Sequence, residues 1–161
     1  MAQLEGSVAP DFTLTTDEGK SLQLSSLKGK NVVLYFYPKA DTPGCTKEAC
    51  SFRDVFPRIQ AAGTVVLGVS PDKPSALVKF KTTYILPFTL LADEKHEVAE
   101  AYGVWGEKKN YGKTYMGIER TTFVIDKTGK IVKVFKKVKV DGHGDEVLTV
   151  LENLRSAAAR G

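Results

Sequence analysis

Two runs interrupt the usual mixture of apolar and polar positions along this chain. Val32 to Tyr37, within a strand expected over Asn31 to Tyr37, and Thr64 to Val69 are almost continuously apolar, the pattern of strands buried on both faces. Each leads into a helical pattern. The first runs from Pro43 to about Ile59 or Gln60, with a bend or early stop expected near Pro57. The second spans Pro74 to Tyr84, with Leu77, Val78 and Phe80 available for packing. Ahead of both, Phe12 to Thr16 and Ser21 to Leu24 read as a short hairpin around Asp17-Glu18-Gly19-Lys20. Behind them come an extended piece, Phe88 to Leu91, and a helix from about Glu94 to Tyr102. Thr121 to Ile125 and Lys130 to Phe135 flank Asp126-Lys127-Thr128-Gly129 as a second hairpin. Val147, Leu148, Val150, Leu151 and Leu154 stripe a last helix over Asp145 to Ala158.

Strands alternating with helices and closing on a hairpin and a helix predict an α/β fold with a mixed sheet covered on both faces. The order fits a thioredoxin-like fold: a mixed central sheet flanked by helices, with an added N-terminal β-hairpin and an inserted strand–helix segment. No repeat, low-complexity tract or long linker divides the 161 residues, so a single domain over 1–161 is expected. A chain of this length, 42% hydrophobic and 26% charged, buries a full core without staples. Its two cysteines are therefore free for chemistry, and so few do not make a secreted disulfide framework. Residues 1–10 lack the charged start and apolar core of a signal peptide, and no run approaches about 18 apolar residues. A cytoplasmic protein with no membrane partner is the expectation. The net charge of +4 gathers partly in Lys127, Lys130, Lys133, Lys136, Lys137 and Lys139. Lys133, Lys137 and Lys139 alternate with Val132, Val138 and Val140 as in a strand with one wet face. Without interleaved aromatics or a recognition motif, this segment does not indicate a nucleic-acid partner.

The chemistry gathers after the first apolar run, in Thr42-Pro43-Gly44-Cys45-Thr46-Lys47-Glu48-Ala49-Cys50. Thr42 suits an N-cap and Pro43 the first helical position. Cys45 then falls in the first turn, where unpaired N–H groups and the helix dipole favour a thiolate. At about 100° per residue, Ala49, Phe52, Phe56 and Ile59 share the face of Cys45, which packs on the sheet. Cys50 points about 140° away, on the side of Lys47 and Asp54, and the two Cα atoms stand roughly 8.7 Å apart. A disulfide rarely spans more than about 7 Å. The pair can bridge only if the first turns of the helix unwind, so oxidation would trade a folded thiol form for a locally unfolded disulfide form.

The stretch Pro38-Lys39-Ala40-Asp41-Thr42-Pro43-Gly44-Cys45 resembles the peroxiredoxin signature Pro-x-x-x-Thr/Ser-x-x-Cys. With a cysteine five residues on, it is similar to the bacterioferritin comigratory protein (PrxQ) subfamily. The resemblance extends through Ala9-Pro10-Asp11-Phe12, Gly68-Val69-Ser70, Phe88-Thr89-Leu90-Leu91-Ala92-Asp93, Tyr102-Gly103-Val104-Trp105-Gly106 and the stretch from Gly117 to Asp126. It implies a thiol peroxidase for hydrogen peroxide and organic hydroperoxides, needing no metal, haem or flavin cofactor. Cys45 would be the peroxidatic cysteine and Cys50 the resolving one, joined in an intramolecular disulfide that thioredoxin or a similar dithiol reductant reopens. Thr42 would turn its hydroxyl toward the thiolate and the peroxide. Arg120, expected on a neighbouring strand, would stabilise the thiolate and hold the peroxide oxygens. Pro38 would shield the sulfur from water, the N–H groups of Gly44 and Cys45 would meet charge developing on oxygen, and Glu48 would orient Arg120. An intramolecular disulfide needs no second subunit, so a monomer is expected.

Two other readings stay open at this point. A disulfide oxidoreductase on the same fold would usually carry Cys-x-x-Cys, whereas four residues separate this pair. A chaperone or basic binding module with incidental thiols would consume no peroxide. His96 and His143 stand apart from the cysteines and make no zinc-ligand spacing. Trp105 reads as a loop anchor.

Overall fold

The computed structural model describes residues 4–160, so residues 1–3, on which the reading of the N-terminus partly rests, lie outside the described residues. The two apolar runs form the centre of a seven-stranded sheet. Strand β3 (Asn31–Phe36) pairs in parallel with β4 (Thr64–Ser70), and β4 in parallel with β5 (Thr89–Ala92). The hairpin β1 (Thr13–Thr16) and β2 (Ser21–Gln23) joins antiparallel on the far side of β5. On the other side β8 (Thr121–Ile125) and β9 (Ile131–Phe135) add antiparallel, giving the order β2-β1-β5-β4-β3-β8-β9. This is the mixed thioredoxin-like sheet with its added N-terminal hairpin.

The helices divide between the two faces. Helix α1 (Pro43–Ala61), α2 (Pro74–Tyr84) and α4 (His143–Arg160) cover one face, where Ala49, Phe52, Leu77, Phe80, Val147 and Leu151 meet Val33, Tyr35 and Tyr37. The opposite face is closed by α3 (Glu97–Ala101) and the N-terminal segment, with Ala9, Phe12, Val98 and Tyr102 packed on Val32, Leu34, Phe36 and Phe123.

Several local expectations are corrected. Helix α1 neither bends nor stops at Pro57 but runs on to Ala61. Pro57 lies on its exposed side, and the buried anchors Phe52 and Ile59 on either side keep the helix against the sheet. Val78 on α2 does not pack and is 46% exposed. Helix α3 begins at Glu97 rather than Glu94, because the Asp93 carboxylate accepts from the N–H groups of Val98 and Ala99 and the turn before it takes His96 to φ 50°. The basic segment is not an alternating strand through Val140. Strand β9 ends at Phe135, and the Val138 N–H then donates to the Arg120 carbonyl at 3.0 Å, drawing the chain across the end of β8. The expected last helix starts two residues early, at His143.

One element was not foreseen. β6 (Trp105–Asn110) and β7 (Lys113–Ile118) form a separate two-stranded ribbon. Its turn residues Tyr111 and Gly112 both have positive φ, 53° and 75°, as a tight two-residue hairpin requires. The signal was the glycine at the turn. Strands carrying Glu107, Lys109, Lys113 and Thr114 have no apolar alternation to betray them.

Candidate functional site

Antiparallel pairing of β3 with β8 sets Phe36 opposite Thr121. The residue before β8, Arg120, therefore lies beside the point where the chain leaves β3 for the start of α1. That places Arg120 in the connection between β7 and β8 rather than on a strand. The entry to α1 is itself held in place. The Ala40 N–H donates to Asp72 at 2.7 Å, and Asp41, at φ 60°, accepts from the Tyr84 hydroxyl at 2.9 Å.

Thr42 takes the N-cap backbone conformation, φ −99° and ψ 155°, and Pro43 follows in the first turn. Its hydroxyl makes no capping bond and does not turn toward the thiol. It donates back to the Lys39 carbonyl at 2.8 Å. Pro38 is half-buried at the end of the strand. Cys45 is 1% exposed, on the same face as Ala49, Phe52 and Ile59, while Cys50 is half-buried and unbridged.

Arg120 joins the groups together. Its Nη2 donates to Cys45 Sγ at 3.3 Å and its Nη1 to Glu48 Oε1 at 2.7 Å. Gly44 leaves room for this fork, since a Cβ there would lie 3.2 Å from Nη2. Burial pushes the Glu48 carboxyl up to about 7 from an ordinary 4.5, against the opposing pull of the guanidinium. Glu48 is fully buried, and its Oε2 has no protein partner among the described residues; neither does the nearby Tyr35 hydroxyl. Burial also works against the Arg120 charge, but the facing carboxylate and sulfur outweigh it and the group stands above its usual range. A permanent cation thus touches a buried sulfur at a helix N-terminus, an arrangement suited to meeting negative charge on an oxygen brought beside it.

His143, remote in sequence, lies beneath this helix, with its ring edge-on to Phe52 at 5.4 Å between centroids. Its Nδ1 faces Glu146 Oε1 at 2.8 Å and its Nε2 faces Thr122 Oγ1 at 2.8 Å. A carboxylate only accepts, so Nδ1 carries the proton and Thr122 donates to Nε2. Burial lowers this imidazole below its ordinary 6.5. Nothing in the spacing of the chain signals that contact. His96, by contrast, stacks on Trp105 at 3.8 Å and faces Glu100, so Trp105 belongs to β6 and a histidine stack, not to a loop. Among the described residues no group of three or more His, Cys, Asp or Glu side chains could hold a metal ion, and no helix is long and apolar enough to cross a membrane.

The model of the AhpC/TSA family matches residues 6–134. Peroxiredoxin Bcp of Bacillus subtilis is 52% identical over 149 residues, which cover 92% of this chain and 95% of that protein. Peroxiredoxin Bcp of Escherichia coli is 49% identical over 147 residues, covering 91% and 94%. Among solved structures, the Xanthomonas campestris bacterioferritin comigratory protein superposes with a TM-score of 0.85 at 37% identity, over 89% of this chain and 92% of that one. Sequence relatives and structural neighbours converge on one group, and the chain belongs to the AhpC/TSA family as a thiol peroxidase of the bacterioferritin comigratory protein (PrxQ) branch of the peroxiredoxins.

Proposed function

We propose that this protein reduces hydrogen peroxide and organic hydroperoxides through Cys45, resolves the product with Cys50, and is recycled by thioredoxin or a similar dithiol. The Cys45 thiolate attacks the terminal peroxide oxygen. An S–O bond forms, the O–O bond breaks, and the departing oxygen takes a proton and leaves as water or an alcohol. Arg120 and the N–H groups of Gly44 and Cys45 stabilise the charge that grows on oxygen. Thr42 contributes by exchanging its bond to Lys39 for one to the peroxide, Pro38 keeps water from the sulfur, and Glu48 holds the guanidinium in line. Cys50 then condenses with the sulfenic acid, releasing water, and two exchange steps with a dithiol restore both thiols. The cycle uses one chain and one domain, in keeping with a monomer working in the cytoplasm.

The observation that carries this reading is the Arg120 fork, 3.3 Å from Cys45 Sγ and 2.7 Å from Glu48. The alkyl peroxide reduction activity of the Xanthomonas campestris relative supports the inclusion of organic hydroperoxides. The test is the intact mass of reduced protein after one equivalent of hydrogen peroxide. The wild-type chain should lose about two mass units, and Cys50→Ser should gain about sixteen or trap a sulfenic adduct. No rapid change in either protein would leave the thiols without this role.

A further inference from the structure

The resolving step just proposed cannot occur while α1 is intact, so whatever holds residues 46–52 in the helix controls it. One short segment, from Asp141 to Gly144, touches that stretch repeatedly. Asp141 pairs with Lys47. The Gly144 N–H, one of the donors left over at the start of α4, donates to Ser51 Oγ at 3.2 Å. The Ser51 hydroxyl in turn donates to the Glu48 carbonyl at 2.7 Å. Only glycine fits at 144, because a Cβ there would run into the Ser51 carbonyl group. Next to it, the His143 ring braces Phe52 and is itself fixed by Thr122 and by the edge of Phe135, 5.3 Å away between centroids. Lys47, Ser51 and Phe52 bracket Cys50 on both sides. The contacts to Lys47 and Ser51 are polar and lie at the border of the core, so they can be given up without breaking it.

We propose that Asp141 to Gly144 is a latch on the resolving segment, which keeps α1 wound for the peroxide step and sets how fast Cys45 and Cys50 can join afterwards. It rests on the reading of Cys50 as the resolving cysteine. Once Cys45 is a sulfenic acid, two reactions compete for it. In one, the Cys50 thiol attacks the Cys45 sulfur, the S–S bond forms, the S–O bond breaks, and the hydroxyl leaves with the thiol proton as water. In the other, a second peroxide adds an oxygen to the same sulfur, giving a sulfinic acid and a further water or alcohol. The second needs no unwinding. A tight latch therefore favours overoxidation and a loose one favours the disulfide.

The test is the double variant Ser51→Ala with Asp141→Ala, which removes both polar contacts and leaves Cys45, Arg120 and Glu48 in place. Alanine forms helix better than serine, so faster opening could not come from a weaker helix. Rapid quenching with intact-mass readout follows loss of about two mass units for the disulfide and gain of about thirty-two for the sulfinic acid. The expected result is a first oxidation rate within about twofold of wild type, disulfide closure about fivefold faster, and a matching rise in the peroxide dose that half-inactivates. Closure and dose equal to wild type overturn the latch. If the wild-type protein forms no disulfide at all, the role of Cys50 falls first and the latch with it, so the two failures are told apart.

Discussion

The two faces of the central sheet handle buried polar groups in opposite ways. On the face closed by α3, the hydroxyl of the buried Tyr102 donates to the Pro10 carbonyl at 2.7 Å, and the surrounding cluster of Val32, Leu34, Phe36, Leu67 and Phe123 is apolar. On the face covered by α1, α2 and α4, the Tyr35 hydroxyl and one oxygen of Glu48 are buried without a partner among the described residues, and a guanidinium and a thiol meet inside the packing. Unsatisfied buried groups cost stability. Among the described residues such groups are confined to the face that carries Cys45, which teaches that this face gives up some stability to hold the Arg120 fork while the other keeps its buried hydroxyl paired.

The strongest way to break this contrast is to remove the cation. Arg120→Ala should slow the reaction of Cys45 with peroxide by about a hundredfold or more, read by rapid mixing at several peroxide concentrations. A rate within about threefold of wild type would mean that Arg120 only balances Glu48. The mirror experiment sits on the other face. Phe123→Ala should lose about 3–5 kcal/mol in urea unfolding, while protein that remains folded reacts with peroxide at nearly the wild-type rate.

A third test uses pH. The folded-state pKa of Glu48 stands at about 7, above its ordinary 4.5, so the folded protein binds the extra proton between those values. The resulting stability is fully present below about pH 4.5, fades as the pH rises, and is lost above about 7. The urea midpoint of wild type relative to Glu48→Gln should therefore fall between pH 5 and about 7.5. A constant difference across that range would show that Glu48 does not titrate there. The smallest expected effects sharpen the comparison most directly. Tyr102→Phe should cost about 1 kcal/mol by stranding the Pro10 carbonyl, whereas Tyr35→Phe should be neutral or slightly stabilising. Equal losses would erase the difference between the faces.

Much of the fold was legible because burial leaves a periodic trace. The runs at Val32 and Thr64 could only be central strands, and the face of α1 bearing Cys45, Ala49, Phe52 and Ile59 follows from helical geometry alone. The β6–β7 ribbon was not legible, because it buries too little to impose an alternation. Pro57 misleads for a related reason: propensity acts locally, whereas the anchors that hold α1 through it are tertiary.

The candidate site divides in the same way. The placement of Cys45 in the first turn of a helix, and of Cys50 on another side of it, is a matter of spacing along one element, and the sequence by itself determined it. The meeting of Arg120 with Cys45, 75 residues apart in the chain, depends on the register of β3 against β8. The contact of Gly144 with Ser51, 93 residues apart, and of His143 with Phe52 depends on where α4 crosses α1. Spacing along an element obeys a fixed rise and turn per residue, so it can be computed from the sequence. Contacts between elements are decided by how a whole core packs, and only the tertiary structure contains that information.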